Sequence, residues 1–164
     1  MELMGTNVEM TAWDTDEAKV NSAFDAALRE IERIENEMSE WREGTAVSTI
    51  NKKAGIEKIK VSDELSNVIA AAQKISELSG GAFDISWAGM RGLWKFTKGE
   101  ENVPAPAEVM DRLPLVNYKN IELDEVEKTI FLKRPGMAIG FGGIAKGYAV
   151  DRAMQVLTDH GVRY

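Results

Sequence analysis

The sequence predicts an α+β fold with a mixed or antiparallel sheet and long amphipathic helices. Three observations predict it: a helical apolar stripe from Val20 to Met38, a hairpin pattern over 121–133, and an irregular element order. Strict alternation of strand and helix would instead have pointed to a doubly wound parallel sheet.

Taken in order, residues 7–13 alternate Val8, Met10 and Ala12 against Glu9, Thr11 and Trp13, so a strand is expected there. Asp14 precedes Glu17 by three residues, the spacing of a capping box, and should open a helix. That helix carries Val20, Phe24, Ala27, Leu28, Ile31, Ile34 and Met38 at steps of three and four. A second helix should start at Ser62 as N-cap, with Asp63 and Glu64 in its first turn. Its apolar face is Leu65, Val68, Ile69, Ala72, Ile75 and Leu78, and Gly80-Gly81 ends it. Residues 102–114 hold three of the four prolines and are expected as a surface loop. Segments 121–123 and 129–133 should pair as a hairpin across 124–128. A last helix is expected at 145–160, stopped by Gly161. Residues 161–164 then read as the start of another strand, so the sequence is expected to end within its fold.

Hydrophobic residues make up 44% and charged residues 29% of the 164, which suits one globular domain rather than disorder. The net charge is −7 with the basic residues scattered, so no nucleic-acid partner is expected and any phosphate site must be built locally. The absence of cysteine excludes disulfides, thiolate metal sites and cysteine nucleophiles. No apolar run reaches the roughly 18 residues of a membrane span, and residues 1–11 lack a signal-peptide core.

Few residues can carry chemistry. Gly140-Phe141-Gly142-Gly143-Ile144-Ala145-Lys146-Gly147 opens a helix, where glycines let a phosphate approach free N–H groups and Lys146 adds charge. It is not a Walker A loop, because Gly147 stands where a Ser or Thr should bind magnesium. A turn that needs glycine only for tight packing explains the motif equally well. Gly80-Gly81-Ala82-Phe83-Asp84 is either a helix cap or a turn whose carboxylate orients a heterocycle. Trp41, at the end of a core-facing helix, is either core or a shelf for a flat ring. His160 fits a capping role. No Ser-His-Asp set, zinc cluster or paired glycosidase carboxylates can be drawn.

Together these pieces stand in a recognisable order. Met4-Gly5-Thr6 comes first, then Met38-Ser39 with an aromatic and Asn51, then Gly80-Gly81-Ala82-Phe83-Asp84 and Trp94. Gly143-Ile144-Ala145-Lys146-Gly147-Tyr148-Ala149-Val150-Asp151 completes it. From Met4 onward the chain resembles the FAD:protein FMN transferase family (ApbE, once called thiamine-biosynthesis lipoproteins).

The resemblance implies a T-fold-like architecture and an enzyme that binds FAD and Mg²⁺. It implies cleavage of the pyrophosphate and transfer of FMN to a threonine of a target protein, with release of AMP. Some relatives only hydrolyse FAD. By the same resemblance Met4 and the Ala82-Phe83-Asp84 turn line the FAD pocket. Trp41 falls where the family usually places a tyrosine against the isoalloxazine ring. Lys146 meets the phosphates, and the carbonyl of Gly143 is one magnesium ligand. Family members are mostly exported or lipid-anchored outside the bacterial inner membrane, which makes the cell envelope the expected compartment.

Two departures accompany the resemblance. Gly140 stands where the family commonly has an aspartate that would hydrogen-bond FAD. Family members are also about twice as long, so residues 1–164 are expected to be an N-terminal FAD-binding portion. The remaining magnesium ligands, an aspartate and a threonine or similar residue, would lie in the C-terminal part, leaving this portion catalytically silent. The rival readings are a non-enzymatic flavin-binding module and a purely structural domain.

Overall fold

The computed structural model describes residues 1–162. The strand start expected at 161–164 falls partly on Arg163 and Tyr164, outside the described residues. The elements begin with strands β1 (Glu2–Leu3) and β2 (Thr6–Asn7), helices α1 (Glu17–Met38) and α2 (Ala46–Lys52), and strand β3 (Ile59–Lys60). Helix α3 (Asp63–Leu78), a 3-10 helix at Ile85–Met90 and helix α4 (Pro106–Arg112) follow. Strands β4 (Ile121–Asp124) and β5 (Thr129–Leu132) and helix α5 (Ala145–Asp159) complete the chain. They fall into two compact units, one of Met1–Met38 with the chain from Gly142 onward, the other of Ser39–Phe141.

In the first unit α1 packs on α5. The buried positions are Ala23, Ala27, Ile31, Ile34 and Met38 on α1, and Ala145, Ala149, Ala153 and Leu157 on α5. Steps of three and four keep each set on one face, and alanines on both faces let the helices approach closely. Arg152 Nε reaches Glu30 Oε1 at 3.2 Å between them. The start of α1 differs from expectation. Asp16, not Asp14, receives the first-turn N–H, its Oδ1 accepting from Lys19 N at 3.0 Å. Asp14 instead pairs with the Lys19 ammonium, which holds its carboxyl below the usual range. The strand expected at 7–13 is also corrected. Only Thr6–Asn7 forms a strand, paired with β1 and extended by hydrogen bonds between Val8 and Met1, and among the described residues no strand partners 9–13. Alternation allows a strand, but a ladder needs a second edge to bond to. At the far end His160 Nδ1 lies 2.8 Å from the Val156 carbonyl, the expected capping position.

The second unit is built on an antiparallel sheet in the order β3-β5-β4. The expected hairpin is present, with Ile121 opposite Leu132 and Asp124 opposite Thr129. Asp124 Oδ1 accepts from Val126 N and Glu127 N in its turn. Helix α3 is capped by Ser62, whose side chain accepts from Leu65 N. Its buried face is Leu65, Val68, Ile69, Ala72 and Ser76, while Ile75 and Leu78 are exposed, contrary to expectation. At 100° per residue Leu78 points about 150° away from the Leu65–Ile69–Ala72–Ser76 line. The loop expected at 102–114 contains α4. Pro106 sits in its first turn, where the missing N–H costs nothing, and Glu108 Oε2 accepts from Ala105 N at 2.7 Å. Among the described residues no helix is long and apolar enough to cross a membrane.

Candidate functional site

Trp41 lies in the loop between α1 and α2, and this loop is stapled by its own side chains. Ser39 Oγ accepts from Trp41 N at 3.2 Å and Arg42 N at 3.3 Å. Thr45 caps α2 by accepting from Ser48 N at 2.9 Å, while its hydroxyl donates to the Ser39 carbonyl at 2.7 Å. The result fixes the loop and leaves the Trp41 side chain in solvent, 69% exposed. Trp41 is therefore not core.

One face of the indole is covered. The Arg91 guanidinium carbon stands 4.2 Å from the ring centroid, a cation–π stack. Arg91 Nη1 donates to the Glu40 carbonyl at 3.2 Å, and Nη2 lies 3.3 Å from Glu40 Oε1. That second approach is too far off line for a hydrogen bond, so Arg91 Nε and Nη2 are buried atoms without a partner. The Glu40 side chain is only 6% exposed.

Gly140 explains how Glu40 fits. A Cβ at position 140 would lie 2.8 Å from Glu40 Oε1 and 3.2 Å from Ala88 Cβ. A side chain here has no room while Glu40 keeps this position. Segment 139–140 is held from two sides. Asn51 exchanges two hydrogen bonds with the Ile139 backbone, at 2.8 and 3.0 Å, and Gly140 N donates to Ile85 O at 2.9 Å. Asn51 therefore acts as a clamp, pairing through its amide as a neighbouring strand would.

Ala82, Phe83 and Asp84 form the turn between α3 and the 3-10 helix. Gly80 and Gly81 have φ of +62° and +88°, and Gly81 N donates to Ser76 O at 2.8 Å, ending α3 as expected. Asp84 Oδ1 accepts from Ser86 N at 2.8 Å and Ser86 Oγ at 2.6 Å. Oδ2 accepts from Tyr118 N at 2.8 Å, and Ser86 Oγ accepts from Asn117 N at 2.7 Å. Both carboxylate oxygens thus tie the turn to residues 117–118. Ala82 is exposed and Phe83 half-buried beside this knot.

In the first unit, Met4 and Gly5 join β1 to β2 with φ of +53° and +67°, a two-residue hairpin turn of the primed kind. For Met4 this is a strained conformation. Helix α5 begins at Ala145 with no side-chain cap, so its first N–H groups are available to an anion. Lys146 Nζ donates to the Gly142 carbonyl at 2.9 Å. Gly143 lies exposed in the preceding turn. Magnesium favours six oxygen ligands, yet no group of three His, Cys, Asp or Glu could hold a metal among the described residues. The described residues by themselves do not make a magnesium site.

A family model described as the ApbE family matches residues 4–164. The chain belongs to the ApbE family. It is 31% identical over 160 residues to a FAD:protein FMN transferase of Klebsiella pneumoniae, covering 98% of this chain and 49% of the relative. A FAD:protein FMN transferase of Treponema pallidum is 27% identical over 150 residues, 88% of this chain and 41% of the relative. The crystal structure of the ApbE protein from Thermotoga maritima superposes with a TM-score of 0.79 at 34% identity, over 85% of this chain and 45% of that one. The flavin transferase ApbE of Vibrio cholerae gives a TM-score of 0.81 over 99% of this chain and 53% of that one. At 22% identity that likeness speaks for the fold alone. The chain spans about half the length of the ApbE relatives it matches.

Sequence reasoning missed Glu40 and Arg91. The one available signal was that Arg91 is the only charged residue in the apolar run 85–94.

Proposed function

We propose that this chain is the flavin-binding portion of a FAD:protein FMN transferase. The observation that carries the reading is Trp41, held in solvent by a stapled loop in a chain whose relatives bear that name. In this reading Trp41 stacks on the isoalloxazine ring, and Met4, Ala82, Phe83 and Gly140 lie against the flavin. Asp84 fixes the turn that presents Ala82 and Phe83. Lys146 and the uncapped start of α5 meet the phosphates, where positive charge offsets what develops as the pyrophosphate breaks. The reaction joins a threonine oxygen of a target protein to the FMN phosphorus and expels AMP. Water in place of the threonine would give FMN and AMP instead.

The absence of an acidic cluster among the described residues favours a second element. Residues 1–164 bind flavin without turning it over. The magnesium requirement belongs to the full-length reaction, with the Gly143 carbonyl as one ligand and the others from the length that the relatives have in addition. By resemblance alone, the compartment is the bacterial cell envelope, which fractionation of the native protein tests.

The deciding experiment is titration of the purified chain with FAD and riboflavin, with and without Mg²⁺, followed by tryptophan quenching. Saturable binding of both, weakened but still measurable in Trp41→Ala, is expected. Lys146→Ala should weaken FAD much more than riboflavin, and equal loss would remove the phosphate assignment. Mg²⁺-dependent release of FMN and AMP by residues 1–164 would overturn the silent-portion reading.

A further inference from the structure

We propose that Arg91, locked by Glu40, is a positioning residue that backs the Trp41 shelf and leaves a single face of the indole for a planar heteroaromatic ligand. The inference rests on the flavin reading for its ligand but on the second unit alone for its geometry.

An indole in a solvent-facing loop ordinarily samples several rotamers, and a ligand that stacks on it must stop that motion. Here the rotamer is selected beforehand. The guanidinium lies 4.2 Å from the ring centroid, and Glu40 anchors it through both its carbonyl and its carboxylate. The carboxylate can stand there because residue 140 has no side chain, a Cβ falling 2.8 Å from Glu40 Oε1. Position 140 in turn is pinned by Ile85 and by the clamp from Asn51. Arg91 is also poorly served by hydrogen bonds, with Nε and Nη2 unpartnered. A guanidinium bound mainly by a ring face and a carboxylate, rather than by a set of carbonyls, is placed for stacking. The cation covers one face, so ligand stacking is confined to the other.

Two readouts test this. The first needs no ligand: Trp41 is isolated by replacing Trp13, Trp87 and Trp94 with Phe, and its anisotropy and acrylamide quenching are measured. Arg91→Met should lower the anisotropy and raise the quenching, Glu40→Gln should do so more weakly, and Arg91→Lys should restore part of the native behaviour. An unchanged Trp41 signal in a folded Arg91→Met chain overturns the proposal. The second readout is ligand affinity. Arg91→Met should weaken riboflavin and FAD by the same factor, about three- to tenfold, and should add nothing in a Trp41→Ala background. A loss confined to FAD would mean direct phosphate contact and overturns the proposal, as does an undiminished loss in the Trp41→Ala chain. If Trp41→Ala itself leaves flavin affinity intact, the flavin reading at Trp41 fails, while the ligand-free readout still decides whether Arg91 sets the indole.

Discussion

Two carboxylates in the second unit hold loops together in opposite ways. Asp84 has both oxygens saturated by neutral donors, from Ser86 and from Tyr118 thirty-four positions away. Glu40 faces a cation, and that cation has two nitrogens without a hydrogen-bond acceptor and an indole on its flat side. The first arrangement is closed, since every group it orders is already satisfied. The second is open, with an exposed aromatic face at its end. The difference separates a joint that makes the fold from a platform that presents a side chain, although both look alike as a lone acid in the sequence.

The largest expected effect tests the closed joint. Asp84→Ala strips three acceptor contacts and leaves the Ser86 N–H, the Ser86 O–H and the Tyr118 N–H without acceptors, so it should cost about 3 kcal/mol by denaturant unfolding. A cost below about 1 kcal/mol would mean that the joint is not what orders residues 117–118. Gly140→Ala comes next. Its methyl group would displace the Glu40 carboxylate, and about 2 kcal/mol should be lost. Much of that loss should return in the Glu40→Ala background, which relieves the contact; additive losses would place the strain elsewhere, at Ala88.

A control carboxylate sharpens the contrast. Glu30 is held below the usual carboxylate range first by Arg33 and then by Arg152, against the opposing effect of burial. Both arginine partners are well exposed to solvent, so Glu30→Gln should cost no more than about 1 kcal/mol. A lowered folded pKa means that the unfolded chain binds the proton more tightly. The contribution is therefore full above the unfolded value and fades as pH falls through the lower folded value. Native and Glu30→Gln melting curves should converge in acid, and a gap that widened there would reverse the assignment. Trp41→Ala should have the smallest effect on stability, within about 0.5 kcal/mol, because so little of the ring is buried. A loss of about 3–5 kcal/mol, the cost of a core aromatic, would instead make Trp41 part of the interior.

Much of this was legible in order along the chain. Helix α3 announced its start through Ser62, and α5 and the 121–132 hairpin were marked by glycine, period and turn residues. The misreadings share a cause. Residues 9–13 continue the alternation but have no strand to pair with among the described residues, and Leu78 continues an apolar pattern on a side of α3 that is exposed. The prolines of 102–114 suggested a loop, whereas Pro106 opens α4. In each case local pattern stated what was possible, and the partner decided.

The sequence by itself determined the α+β class, the long helices, the hairpin and the ApbE motifs, because caps, periods and glycine turns act within a few residues. Only the tertiary structure decided that Trp41 is exposed rather than core, that Asp84 and Asn51 are clamps, and that Glu40, Arg91 and Gly140 form one group. Those assignments depend on which residues stand within a few ångströms after residues 40, 91 and 140 are brought together. Burial, charge pairing and unmet hydrogen bonds are properties of that proximity, and no spacing along the chain encodes them.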